Sequence, residues 1–177
     1  MAKPTVTLSA AQVAERISAL VPDGVEETAE RWVFVRRDRL VEVAQAIHDD
    51  RELDGRYLNS IAGIDWHDHF EVAYHLTSLS HNHTFALKVR TDGHDEPEVP
   101  SVVSVWQGAN LQEREIFDLM GIRFVGHPTL KRLFLWEGFP GYPLRKDFRS
   151  LPGGFNPGLQ RFPKEEAGTW GGEARVD

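Results

Sequence analysis

Two runs of alternation, the second less clean than the first, lie back to back near the middle of the chain. Phe70, Val72, Tyr74 and Leu76 recur at every second residue of the run Phe70–Leu79, and Phe85, Leu87 and Val89 do the same within Thr84–Val89. A period of two puts such residues on one face of a strand. The short polar link Ser80-His81-Asn82 leaves room for little but a tight hairpin, so the two strands must be antiparallel neighbours. Their apolar face needs a cover, and helical runs upstream can supply it. Ser9 is placed to cap a helix carrying Val13, Ile17, Leu20 and Val21, ended by Pro22-Asp23-Gly24. Asp38 is placed to cap a second, with Leu40, Val41, Val43, Ala44 and Ile47 on its apolar side. Trp32–Val35 reads as a short strand, and Tyr57–Asp65 as either strand or loop. These elements predict an α+β fold: an antiparallel or mixed sheet with helices packed on one face.

The character changes after the run Asp92–Pro97. Ser101 is placed to cap a short helix through Trp106, and a longer helix is predicted over Ala109–Met120 with Gly121 just past its end. Gly126, Pro128, Gly138, Pro140, Gly141 and Pro143 then exclude long regular elements. The expected organisation is one domain over 1–148 and an extended C-terminal arm over 149–177. The arm carries Leu151, Phe155, Leu159, Phe162 and Trp170, spaced as anchors for a partner surface.

Charge and composition narrow the function. The chain of 177 residues has a net charge of −7 and no Cys. An acidic chain is a poor nucleic-acid binder. The lack of Cys excludes disulfides, a thiolate nucleophile and any cluster or zinc ion held by its own thiolates. No apolar stretch approaches the roughly 20 residues of a membrane span, and the N-terminus has no signal-peptide pattern. The charge is unevenly spread: Arg123–Arg149 carries +4 and the first 122 residues carry −10. A basic docking segment on an acidic body is the expectation.

The Ala109–Met120 helix breaks a rule. On a wheel started at Ala109, Ile116 and Met120 fall within ~20° of the origin, and Glu113 falls at about 40°, inside the apolar arc. Arg114 and Asp118 fall at about 140° and 180°, at the spacing of a surface ion pair. A buried, unpaired carboxylate is costly, so Glu113 is expected to meet a cation of the basic segment: Arg132, Arg145 or Lys131.

Other chemistries have weaker signals. His67-Asp68-His69 and His81-Asn82-His83, with His75 and Asp65 nearby, could offer imidazoles to a metal, and a zinc hydrolase would follow from such a site. Neither Ser60 nor Ser150 sits in a nucleophile motif, and no phosphate-binding or dinucleotide loop is present. Glu113 and Glu115 lie about 160° apart on one helix and cannot flank one bond.

The run Trp106-Gln107-Gly108-Ala109-Asn110-Leu111-Gln112-Glu113-Arg114-Glu115-Ile116-Phe117-Asp118-Leu119-Met120-Gly121-Ile122 resembles the NuoC family, the C subunit of bacterial NADH–quinone oxidoreductase, respiratory complex I. His127-Pro128-Thr129-Leu130-Lys131-Arg132-Leu133 and Pro143-Leu144-Arg145-Lys146-Asp147-Phe148 match the same family in order and spacing. The likeness is strong over Ser101–Phe148 and looser over Trp32–Asp92. Leu111 stands where the family commonly has an aromatic residue. The resemblance implies a cofactor-free accessory subunit of the peripheral arm, on the cytoplasmic side of the bacterial inner membrane. FMN, iron–sulfur clusters and quinone are then expected in partner subunits. The chain would pack on the D subunit, which forms much of the quinone cavity, and its C-terminal arm, with Phe155, Phe162 and Trp170, would run over neighbours. The motif residues Glu113, Arg114, Glu115, Asp118, His127, Lys131, Arg132, Arg145, Lys146 and Asp147 are expected to serve an internal ion-pair framework or contact between subunits, not catalysis. Membrane-bound hydrogenases and other quinone- or ferredoxin-linked dehydrogenases carry related subunits and remain the alternative.

Overall fold

A computed structural model describes residues 4–150. In chain order the elements are β1 (Val6–Thr7), α1 (Ala10–Leu20), β2 (Val25–Thr28), β3 (Val33–Val35), α2 (Leu40–Asp49), β4 (Tyr57–Asp65), β5 (Phe70–Ser78), β6 (His83–Arg90), β7 (Glu98–Pro100), α3 (Ala109–Met120) and β8 (Arg123–Val125). The alternating runs pair as expected: β5 and β6 are antiparallel in continuous register from Glu71↔Arg90 to Ser78↔His83. The segment left open between strand and loop is the nine-residue β4, antiparallel to β5, with a bulge between Leu58 and Ser60. On the other side of β6, β1 and β3 both run parallel to it, one after the other along its edge. The sheet is therefore mixed, in the order β2-β3-β6-β5-β4.

The face carrying Phe70, Val72, Tyr74, Leu76, Phe85, Leu87 and Val89 is buried against α1, α2 and α3 in one apolar cluster. Ser9 and Gln12 form a reciprocal capping box at the start of α1, each side chain meeting the other's backbone N–H. Where α3 crosses β4 the approach is close: a Cβ on Gly63 would lie 2.5 Å from Met120 Sδ. On the opposite face Lys88 Nζ lies 2.7 Å from Glu71 Oε2 and 4.3 Å from the centre of the Trp32 ring. No helix among the described residues is long and apolar enough to cross a membrane.

Two expected caps are different in the structure. Asp38 does not cap α2, which starts after a 3-10 turn, Arg37–Arg39, with no side-chain cap. The Asp38 carboxylate takes the Arg36 guanidinium two residues back instead, at 3.1 Å. Residues 101–106 form a turn and not a helix, closed by Val105 and Trp106 N–H groups on the Val102 carbonyl. The Ser101 hydroxyl is taken by a side chain on α3, and Trp106 is drawn away by a bond from its Nε1 to the Gly55 carbonyl, 2.9 Å.

Candidate functional site

The motif residues converge where the basic Gly/Pro segment folds back over α3. Glu113 is fully buried, as its place on the wheel requires, but no cation reaches it. The expectation of an arginine or lysine partner is overturned. Its carboxyl receives the Ser101 hydroxyl at 2.6 Å and the Val102 N–H at 2.8 Å. Two neutral donors do not offset the loss of water around a charge. Burial pushes the Glu113 carboxyl up to about 7, against the opposing pull of Ser101 and Val102. Tyr74 faces the same pocket: burial, and then the charge of Glu113, hold its hydroxyl well above its ordinary value.

The cation goes to Asp118. This residue falls outside the apolar arc of the wheel, yet it is fully buried, because residues 132–135 lie across it. Arg132 Nη1 donates to Oδ1 at 3.1 Å, and the N–H groups of Leu133, Phe134 and Leu135 all donate to Oδ2, at 2.8, 2.7 and 3.0 Å. Burial alone would raise this carboxyl, but the three N–H groups and Arg132 hold it below its ordinary range. The expected Arg114–Asp118 surface pair does not form. Arg114 instead donates to the carbonyls of Lys131 and Arg132, each at 3.0 Å, closing the other side of the same loop.

The end of α3 anchors the rest of the segment. Gly121 adopts φ 73°, the left-handed C-terminal turn its position predicts. A Cβ there would lie 2.5 Å from the Tyr142 ring and 2.7 Å from Arg145 Nη2, so glycine is needed for contact as well as for conformation. Arg145 donates from Nε to the Met120 carbonyl at 2.6 Å and stacks over Tyr142, 4.7 Å from the ring centre. A second buried carboxylate, Asp65 at the end of β4, accepts the N–H groups of Lys146 (2.9 Å) and His67 (2.8 Å) and the His94 ring (3.2 Å). Burial opposes its ionisation; the Lys146 and His67 N–H groups and His94 outweigh it, so Asp65 lies below its ordinary range. His127 Nε2 faces the Asn110 carbonyl at 3.1 Å while Nδ1 accepts from Thr129 N–H at 3.0 Å, which fixes its neutral tautomer. Glu115, Lys131, Lys146 and Asp147 are exposed. Among the described residues Asp147 has one basic neighbour, the His94 ring, with Nδ1 at 4.0 Å. Leu111, the departure from the family pattern, is 57% exposed, so its packing matters at the surface and not in the core.

Asp65 and Ser101 form part of this framework, yet they lie outside the motif residues taken from the resemblance. Each meets a group distant in sequence, Asp65 the Lys146 N–H and Ser101 the Glu113 carboxyl, which spacing within one element does not reveal. The two histidine pairs are not brought together. The pairs His67/His69 and His81/His83 lie at opposite ends of β5, about 27 Å apart at the rise of an extended strand. His81 and His83 are engaged with the carbonyls of Arg51 and Leu53, each at 2.8 Å, and His69 with Asp68. Among the described residues no cluster of three or more His, Cys, Asp or Glu is arranged to hold a metal. His75 is the cross-strand neighbour of Ser60 but packs edge-on against Trp32. Ser150 belongs to the 3-10 turn Lys146–Ser150. Phe155, Phe162 and Trp170 lie outside the described residues.

Residues 33–152 match the family described as respiratory-chain NADH dehydrogenase, 30 Kd subunit. A relative from Roseiflexus sp. (strain RS-1), named as the C subunit of NADH-quinone oxidoreductase, is 43% identical over 149 residues, covering 80% of this chain and 85% of the relative. A relative from Phocaeicola vulgatus, whose name joins the C and D subunits of NADH-quinone oxidoreductase, is 39% identical over 117 residues, 66% of this chain and 22% of the longer protein. Among solved structures, a chain of the archaeal membrane-bound sulfane sulfur reductase, a respiratory membrane complex, superposes with a TM-score of 0.62 over 94% of both chains at 19% identity, which shows a shared fold.

Proposed function

Since the chain belongs to the 30 Kd subunit family of respiratory-chain NADH dehydrogenase, we propose that it is a cofactor-free accessory subunit of the peripheral arm of NADH–quinone oxidoreductase. It supports assembly and the geometry of the quinone-reducing module and takes no part in bond making. The complex oxidises NADH and reduces quinone through FMN, iron–sulfur clusters and a quinone cavity in other subunits. The D subunit is the expected partner, a reading supported by the relative that joins the C and D subunits in one chain. Attachment is peripheral, on the cytoplasmic face of the membrane. The observation that carries this reading is the pinned basic segment. Its charged side chains hold the chain's own backbone, while Lys131 and Lys146 stand exposed with no carboxylate within 4.0 Å among the described residues. Such unpaired charges on a fixed scaffold suit an electronegative partner.

The fold shared with a sulfane sulfur reductase chain supports a second reading, a subunit of a related membrane-bound complex, but identities near 40% favour the NADH-linked one. The test is the double variant Lys131→Glu, Lys146→Glu. Both positions are exposed, so the domain should keep its melting temperature, while the amount of intact complex on native gels should fall severalfold. Undiminished complex in this variant contradicts the proposal.

A further inference from the structure

Phe134 is 64% exposed, yet it sits at the centre of a tightly held loop. Its own N–H and those of Leu133 and Leu135 all end on one oxygen of a fully buried carboxylate, Asp118. The carbonyls just before it, on Lys131 and Arg132, are closed by the Arg114 guanidinium. Three N–H groups and two carbonyls of the loop are thus held from within the domain. What the loop offers outward is side chains: the Phe134 ring and the Lys131 ammonium, with Leu111, also exposed, one helical turn before Arg114 on α3. An aromatic ring held in water on a loop that cannot retract loses little further freedom on binding, the condition under which aromatic anchors dominate an interface.

We infer that Phe134 is the anchor by which this subunit engages its partner, and that it enters an apolar pocket whose rim carries carboxylates. This rests on the proposed subunit role and adds to it the residue and the chemistry of the receiving surface. The acidic rim follows from charge. Lys131, three residues before Phe134, and Arg114, which holds the Lys131 and Arg132 carbonyls, have no carboxylate within 4.0 Å among the described residues, and the neighbouring Glu115 on α3 pairs with neither. The wider segment Arg123–Arg149 carries +4. Arg132, the remaining cation of the loop, is spent on Asp118 and does not contribute to the rim contact.

The test uses the whole complex, purified through a tag on another subunit, with the amount of this chain retained measured after washes of increasing salt. Phe134→Ala should reduce retention about tenfold or more, whereas Phe134→Trp and Phe134→Leu should keep most of it. Phe134→Glu should lose more than Phe134→Lys, because a new negative charge meets a negative rim. Lys131→Glu should release the chain at lower salt than the wild type. Melting of each variant chain reports folding separately: the substituted side chain makes none of the Asp118 bonds, so the domain should be unaffected. Wild-type retention in Phe134→Ala, or Phe134→Glu held as well as Phe134→Lys, overturns the anchor while leaving the subunit role standing. Absence of the wild-type chain from the purified complex overturns the role and the anchor together.

Discussion

Replacing Glu113 by glutamine should remove a pH dependence of stability. Glu113 is fully buried, with Ser101 and Val102 as its donors, and its carboxyl titrates near 7 instead of 4.5. Below about pH 4.5 the group is protonated in the folded and unfolded chain alike and contributes nothing to the difference. Between 4.5 and about 7 the folded chain retains a proton that the unfolded chain releases, so stability falls as the pH rises. Above about 7 the full cost of a buried charge is present, on the order of 3 kcal/mol at ~1.36 kcal/mol per pH unit. Glutamine keeps the shape, can accept from Val102 N–H and can donate to Ser101, but carries no charge. The assay is urea unfolding of wild type and Glu113→Gln at pH 5 and pH 8. Every other ionisable group is common to both chains and cancels in the difference. At pH 5 the two should agree within ~1 kcal/mol. At pH 8 the variant should be the more stable by about 3 kcal/mol, a midpoint displacement of at least ~1 M for urea slopes of about 1–3 kcal/mol per M. Equal displacements of the two midpoints from pH 5 to pH 8 would refute the reasoning, since they would place an ordinary carboxyl at this position.

Asp118→Ala should cost about 3–5 kcal/mol, because it strands a half-buried guanidinium and three N–H groups at once; denaturant unfolding measures the loss, and faster proteolysis within 131–148 should accompany it. Gly121→Ala should destabilise by at least ~1 kcal/mol, since the left-handed turn disfavours a Cβ and that Cβ would collide with Tyr142 and Arg145; an unchanged melting temperature would contradict the packing described. Arg132→Ala and Arg145→Ala should lower the amount of assembled complex instead of leaving a full complement with slow turnover, which native gels and activity per complex separate.

The elements whose signals lie within a few residues were legible from the residues alone. The period-two runs announced β5 and β6, Ser9 announced the start of α1, and Gly121 announced the end of α3. β4 was ambiguous because a bulge at Asn59 breaks its alternation and Gly63 yields its side-chain space to Met120. At the site, the position of Glu113 in the apolar arc was visible, but its partners were not. The wheel treats α3 as an isolated cylinder and says nothing of residues 101 and 102 lying against it. The same blindness assigned Asp118 to the surface, because its burial comes wholly from a loop without regular structure that returns across the helix. Ser101 shows the complementary error: a hydroxyl suited to cap a helix spends its proton on a carboxylate twelve positions along the chain. The resemblance to the family singled out Asp118 and Arg132 as motif residues; their bond to one another came only with the fold.

On the proposed reading, this chain joins a quinone-reducing assembly whose cofactors it does not hold. The most direct measurement is a pull-down of the tagged chain from native membranes in mild detergent, with the absorption spectrum and NADH–quinone reductase activity of the eluate recorded beside those of the isolated chain. Flavin and iron–sulfur absorption with NADH-driven quinone reduction is expected in the eluate, and a colourless, inactive isolated chain beside it. A colourless eluate containing this protein alone, under conditions where the respiratory complex survives, would contradict that reading.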